Sequence, residues 1–284
     1  MPEGDTIFRA ARTLHRALAG KTVVRFASAL PKLTRVDVDT GVTGRTIERV
    51  EADGKWLLMY FSGDLILLTH MLMSGSWHIY RPGERWRKHP AHMRMHLSTN
   101  DMEAVAFNVQ IAEFHTQESV RRRRGYAQLG PSLLAADFDE KEALQRLQND
   151  PALEIGQALL MQSKLAGIGN VFKSEICFAC GVHPFRRVAE LSISELAGLV
   201  RTAKKFLLQN VAAGTPVHIV TYAGMRRTTG RMDREENLWV YQRRGEPCRR
   251  CDHSIESQKQ GLDARSTFWC PQCQPLERSL QQPV

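Results

Sequence analysis

The chain has 284 residues, 43% of them hydrophobic, which is enough to bury more than one core. Lys and Arg outnumber Asp and Glu by 39 to 30, and the resulting charge of +9 favours polyanionic partners, nucleic acid ahead of an anionic membrane. No apolar run is long enough to span a membrane, and acids at positions 3 and 5 stand where a secretory signal would be basic, so a cytoplasmic protein of the bacterial cytosol or nucleoid is expected.

The opening MPEGDTI admits two readings. Pro and early carboxylates suit the first turn of a helix. Alternatively, removal of Met1 leaves Pro2 as a free secondary amine with Glu3 beside it. An α-amine with a pKa of about 8 is roughly a tenth unprotonated at pH 7, whereas an ordinary Lys at about 10.4 offers under a thousandth. Attack of such an amine on a sugar C1′ gives an iminium, an electron sink that acidifies the neighbouring C–H, and Glu3 could exchange protons there.

Ile7, Ala10, Ala11, Leu14 and Leu18 then recur at helical spacing until Gly20. The period changes to that of strands in KTVVRF, RTIERVEADG, KWLLMYF, DLILLTH and GSWHIY, and a further hairpin carries Met93, Met95 and Leu97 before its turn and Val105, Phe107 and Val109 after it. Short, regular strands of this kind predict a β-sandwich or barrel. Lys55 starts one strand, where a Lys on its own reads as exposed. His70 ends another, either as a satisfied structural imidazole or as a group facing a DNA backbone. Met71, Leu72 and Met73 follow in a Gly-containing loop, which suits core packing or the apolar plug needed by a protein that extrudes a base.

The run Arg121–Arg124 reads as a solvated link, with phosphate contact the alternative. Beyond it the pattern is helical. Asp137 with Glu140 predicts one helix start, and Ser192 with Glu195 a capping box for another. In AGIGNVF a Gly-rich turn separates two helices, as an ordinary connection or as a phosphate cradle to which Asn170 adds an amide. The polar, Arg-rich stretch around residues 213–236 predicts a loop.

Cys248-x2-Cys251 and Cys270-x2-Cys273, with eighteen residues between the pairs, read as a four-thiolate structural Zn²⁺ site with one ion. Cys177 and Cys180 lie in an apolar helical stretch and read as buried small hydrophobes. Arg265, inside the finger, is either solvated or aimed at a phosphate.

MPEGDTI, the Lys after Gly in the β domain, HMLMSG, AGIGNVFKSE and VYQRRGEPC…RSTFWCPQC together resemble the formamidopyrimidine-DNA glycosylase and endonuclease VIII family, in order from residue 1 to about 274. The resemblance implies an α+β fold: an N-terminal catalytic β-sandwich domain (1–128), a helical domain with a helix–two-turn–helix motif (129–240), a C4 zinc ribbon (241–275) and a disordered tail (276–284). It implies base excision followed by β,δ-elimination, with Pro2 as the nucleophile, Glu3 as the general acid and proton shuttle, and Lys55 close to the sugar–phosphate. His70, Asn170 and Arg265 would grip phosphates around a flipped lesion, and the loop around 213–236 would close over the base. The implied partner is damaged double-stranded DNA, with single-stranded or bubble DNA as further options, and the implied state is a monomer without membrane contact.

Two departures separate this chain from the family patterns. The Arg and Phe of the purine-directed branch are missing from NVQIAEFHTQESV, and Leu72-Met73-Ser74 replaces the Gln-Leu-Tyr triplet of the endonuclease VIII branch. Met73 falls where the purine branch inserts its Met. The family's LGPD segment also changes, to Ser132 in LGPS. The lead-in to Lys55 and FWCPQCQ lean toward endonuclease VIII and oxidised pyrimidines. The competing readings are specificity for 8-oxoguanine and formamidopyrimidine, a catalytically silent lesion-binding protein, and a zinc-ribbon adaptor.

Overall fold

The computed structural model describes residues 2–212, 228–229 and 237–276. The stretch expected to be a loop, 213–236, lies outside the described residues apart from Thr228 and Thr229, as does the tail beyond Leu276. The described residues divide into two compact units, with Gln128 ending the first and Leu129 opening the second. The fold is α+β, a β-sandwich unit and a helical unit that carries a cysteine-clustered ribbon.

In the first unit, α1 (Gly4–Leu18) follows the apolar spacing, with Ile7, Ala10, Ala11, Leu14 and Leu18 all buried. One antiparallel sheet has the order β1 (Arg25–Ser28), β6 (Met93–Ser98), β7 (Glu103–Phe107), β5 (Ser76–Tyr80). The other has the order β2 (Ile47–Asp53), β3 (Trp56–Phe61), β4 (Leu65–His70), β8 (Ile111–His115). Leu57, Met59, Phe61 and Leu67 share one apolar core with Trp77, Met95, Leu97, Ala104 and Ala106, so the sheets pack face to face with α1 against the same core.

Four details differ from the sequence-based expectations. KTVVRF forms a strand only over β1, and a helix, α2 (Pro31–Thr40), follows it with Pro at its first turn. Only Leu33 of α2 is buried, so no apolar stripe announced it. Strand β8 went unpredicted for a similar reason: at the sheet edge it buries only Ala112. Val105 and Phe107 lie in a separate cluster with Tyr80, Trp86 and Met93, while Ala104 and Ala106 line the main core. An irregularity in register between Met93 and Met95 sends those two methionines to the different clusters. Finally, the Arg run is only partly solvated. It begins inside a short helix, α3 (Gln117–Arg122), and Arg123 forms a two-pronged pair with Glu113 at 2.9 and 3.1 Å.

The second unit contains α4 (Glu140–Gln148), α5 (Ile155–Leu160), α6 (Asn170–Ala179) and α7 (Ile193–Ala212). Asp139, rather than Asp137, caps α4 by accepting from Lys141 N and Glu142 N at 2.8 and 3.0 Å. The expected box at α7 is present, with Ser192 N donating to Glu195 at 2.8 Å and Glu195 N to Ser192 Oγ at 3.2 Å. Between α5 and α6, Gln162 shapes the turn. Its amide nitrogen donates to Leu160 O and Ile168 O at 2.7 and 3.0 Å, and its oxygen accepts Gly167 N at 3.1 Å. Gly167 has a φ of 114°, which a side chain would resist.

A hairpin of β9 (Glu256–Gln260) and β10 (Arg265–Trp269) packs on α6. Helix α6 meets it through polar groups that are wholly buried. The Glu175 carboxylate accepts the backbone N–H groups of Trp239, Val240 and Tyr241 at 2.8, 2.9 and 2.9 Å and also the Thr228 hydroxyl. Lys173 Nζ donates to Thr267 Oγ1 at 2.5 Å, and Ser174 Oγ accepts from Phe268 N at 3.3 Å. Glu175→Ala would leave three backbone donors without their carboxylate, the buried Val240 N–H and those of the partly buried Trp239 and Tyr241, at about 1 kcal/mol or more each. The expected outcome in thermal unfolding is a loss of at least about 3 kcal/mol in the second unit, with a smaller loss for Glu175→Gln.

Candidate active site

Helix α1 is placed by its far end. Gly20 N donates to Ile47 O at 2.8 Å, and Val50 N donates to His15 Nδ1 at 3.2 Å. The helix therefore runs antiparallel to β2. From His15 back to Gly4 it rises about 16 Å, and from Val50 to Lys55 the strand and turn advance about 16 Å. Pro2 and Glu3 are thus delivered to the end of the sheet that carries the β2–β3 turn. Both are buried, and the Glu3 carbonyl accepts Thr6 N and Ile7 N at 2.9 and 3.1 Å, which fixes the lead-in to the helix. The helix-start reading of MPEGDTI is thereby met, with Asp5 in the first turn of α1.

Lys55 follows Gly54, whose φ is 56°, in the tight turn between β2 and β3. His70 ends β4 directly across from Trp56 in the strand register. The His70 and Trp56 rings meet edge-on at 4.8 Å, and the Arg123 guanidinium lies over the Trp56 ring at 4.5 Å. Burial, with Lys55 and then Arg123 nearby, pulls the His70 imidazole down to about 4. The next residues turn sharply: Leu72 has a φ of 48°, its N–H donates to His70 Nδ1 at 3.1 Å, and Gly75 N donates to Met71 O at 2.8 Å. Met71 is buried beneath this turn while Met73 is 57% exposed at its tip. In the first unit Lys55, His70 and Met73 therefore lie at the turns around one sheet end, toward which α1 directs its Pro2–Glu3 start.

In the second unit Asn170 opens α6. Its Nδ2 donates to Ser266 O at 2.8 Å, which ties it to the residue after Arg265. An amide nitrogen carries two hydrogens, so one N–H remains for a further acceptor. The Asn170 Oδ1 is buried without a hydrogen-bond partner among the described residues. Arg265 is half-buried at the start of β10, opposite Gln260.

The ligand atoms of Cys248, Cys251, Cys270 and Cys273 all lie within 4.8 Å of one another. Sulfur pairs at 3.4, 3.4 and 3.8 Å approach the edge of about 3.8 Å that a tetrahedron with Zn–S bonds of about 2.3 Å requires. The donors therefore fit a closed structural zinc. Cys177 is fully buried, and Cys180 donates to Thr202 Oγ1 at 3.3 Å, so neither joins the cluster. Sequence reasoning missed Trp56, Arg123, Glu113 and Gln162. Only Arg123 lay in a stretch that the charge run had marked.

One chain thus combines a β-sandwich with a buried Pro-Glu start, a helical unit and a four-cysteine ribbon, the set of parts that the sequence resemblance implied. Comparison with known proteins gives the family. Residues 1–110 match the formamidopyrimidine-DNA glycosylase N-terminal domain, residues 129–220 the formamidopyrimidine-DNA glycosylase H2TH domain, and residues 245–276 a zinc finger found in FPG and IleRS. Among relatives, a probable endonuclease 8 2 of Streptomyces coelicolor is 42% identical over 277 residues, covering 96% of this chain and 94% of its own. The DNA-(apurinic or apyrimidinic site) lyase Nei2 of Mycolicibacterium smegmatis is 34% identical, covering 96% and 99%. A formamidopyrimidine-DNA glycosylase of Exiguobacterium is also 34% identical, covering 96% and 99%. The structure of Lactococcus lactis Fpg in complex with abasic-site DNA superposes with a TM-score of 0.80 at 25% identity, covering 96% of this chain and all of that one. The chain belongs to the formamidopyrimidine-DNA glycosylase and endonuclease VIII family. No helix among the described residues is long and apolar enough to cross a membrane.

His78 and His183, like His70, are held down to about 4, chiefly by burial. An unfolded chain takes up these protons near 6.5, so between those values it binds more protons than the folded protein, and stability falls as pH drops. Denaturant melts at a series of pH values should show midpoints that decline from about pH 6.5 toward 4. The double variant His78→Phe, His183→Phe should flatten that decline. Cys251→Ser should lose bound zinc and the order of the ribbon together, as read by metal analysis and amide exchange.

Proposed function

We propose that this DNA glycosylase of base excision repair excises oxidised pyrimidines from duplex DNA and then cuts the strand on both sides of the vacated sugar. Three lines support the reading: delivery of the buried Pro2–Glu3 pair to the sheet end holding Lys55 and His70, the full-length likeness to proteins named endonuclease 8, and the departure from the purine branch after Phe107. The first of these carries the excision and strand-cutting chemistry, and the other two carry the choice of oxidised pyrimidines.

In this mechanism the Pro2 amine, exposed by removal of Met1, attacks C1′ of the lesion nucleotide. The base leaves with a proton as the sugar opens through Glu3, and a Pro2 iminium remains. Loss of a C2′ proton expels the 3′ phosphate, and a second elimination expels the 5′ phosphate, giving a one-nucleotide gap with phosphate at both ends. Lys55 supplies positive charge to the sugar–phosphate during both eliminations. His70, Asn170 and Arg265 hold flanking phosphates. One structural Zn²⁺ on Cys248, Cys251, Cys270 and Cys273 keeps the Arg265 hairpin rigid and takes no part in the chemistry.

A second reading rests on Met73. An exposed Met at the tip of a clamped turn matches the inserted residue of the purine branch and would accompany activity on 8-oxoguanine. Borohydride trapping on matched duplexes with thymine glycol, 8-oxoguanine or an abasic site separates the readings. Preferential trapping on thymine glycol is expected, the reverse order moves the chain to the purine branch, and no adduct on any duplex identifies a silent binder.

Pro2→Gly should sharply slow adduct formation while leaving duplex affinity nearly intact, and an unchanged rate would remove Pro2 from the mechanism. Glu3→Gln should abolish excision of intact lesions. Affinity should fall steeply between low and physiological salt, because several phosphates are neutralised.

A further inference from the structure

We propose that Trp56 is a positioning residue, which holds the His70 ring so that its Nε2–H is presented as a donor to a DNA phosphate. The inference rests on the reading of His70 as a phosphate contact and adds the device that makes it work. Trp56 follows Lys55 directly, opens β3, and is only 7% exposed. It faces His70 across the strand pair, with the rings edge-on at 4.8 Å. Arg123 packs on the indole at 4.5 Å and is itself pinned by Glu113 of β8, which also meets His115 at 3.1 Å. Tyr126 closes on the same indole edge-on at 6.4 Å. The Trp56 ring is thus enclosed by groups from β4, from the chain after α3, and through Arg123 from β8.

The backbone decides which nitrogen of His70 carries the proton. Leu72 N–H donates to Nδ1 at 3.1 Å, so Nδ1 must keep its lone pair, and the proton of the neutral ring lies on Nε2. Leu72 accepts a φ of 48° to make that bond, a conformation that non-glycine residues rarely hold. The charged groups facing the ring are Lys55 on the β2–β3 turn and Arg123, both cationic, and both disfavour a second proton. Glu113 is committed to Arg123. Asp53, on the same turn as Lys55, acts on Tyr126. A neutral donor contacts a phosphate without placing a third cation beside Lys55. The contact also keeps one protonation state between about pH 5 and 8.

The test is side-chain nitrogen NMR of His70 in the DNA-free protein, for wild type, Trp56→Phe, Trp56→Ala and Arg123→Gln. It is combined with Kd values for a duplex carrying an uncleavable abasic-site analogue. Wild type and Trp56→Phe should show the Nε2–H tautomer, titrating near 4. In Trp56→Ala and Arg123→Gln the titration should move up toward the ordinary 6.5. Trp56→Ala should also weaken binding roughly tenfold near neutral pH, the loss of one well-placed contact. Its binding should tighten as pH falls and the released imidazole gains charge, whereas wild type should show no such trend. A folded Trp56→Ala protein with wild-type tautomer and titration overturns the proposal. If that variant does not fold, Arg123→Gln with an unmoved titration overturns it equally. The phosphate reading fails separately, if His70→Ala binds the analogue as tightly as wild type while the NMR shifts occur as stated.

Discussion

One buried carboxylate organises the second unit. Glu175 is fully buried in α6 and holds three successive backbone N–H groups, Val240 and Tyr241 on Oε1 and Trp239 on Oε2, where the Thr228 hydroxyl also donates. A buried charge is costly unless donors surround it, and here they belong to the chain entering the ribbon. With Lys173 bound to Thr267 and Ser174 to Phe268, a sequence that reads as polar, Lys-Ser-Glu, becomes the fastening between helix and hairpin. Asn170, at the first turn of the same helix, bonds to Ser266 beside Arg265. The two proposed phosphate contacts of this unit therefore take their spacing from α6, and the thiolate cluster closes the far end of the hairpin.

The first unit solves the corresponding placement problem with geometry rather than charge. A helix advances less than half as far per residue as a strand, so eleven helical residues and five extended ones cover the same distance. Bonds near Gly20 and His15 set the starting point, and the helix rise then carries Pro2 and Glu3 to the Lys55 turn. Trp56 and His70 reach the same end because β3 and β4 pair without a break from Phe61 back to Trp56. The candidate groups thereby stand at the ends of regular elements and on the short turns between them.

Both faces of the sheet containing β7 are covered, and this explains an apparent inconsistency in its pattern. Small Ala104 and Ala106 face the other sheet, and bulky Val105 and Phe107 pack with Trp86 on the outer side. Alternation marked the strand correctly but said nothing about which set faced the sandwich core, because two apolar environments were available.

The sequence by itself determined the elements whose residues carry period or fixed spacing. These are the apolar stripe of α1, the hairpins, the Ser192–Glu195 box, the Gly-Ile-Gly-Asn turn and the paired cysteines. Each depends on neighbours within a few residues, or on a metal chemistry that accepts only certain ligands. It also marked Pro2, Glu3, Lys55, His70, Asn170 and Arg265 as candidates, through their joint resemblance to one family rather than through any single motif. Only the tertiary structure decided that Trp56, Arg123 and Glu113 form one assembly around His70, that Glu175 clamps the ribbon, and that β8 completes a sheet with a single buried residue. Those arrangements join positions tens of residues apart through ring faces, buried hydrogen bonds and edge pairing, and none of these leaves a periodic trace along the chain.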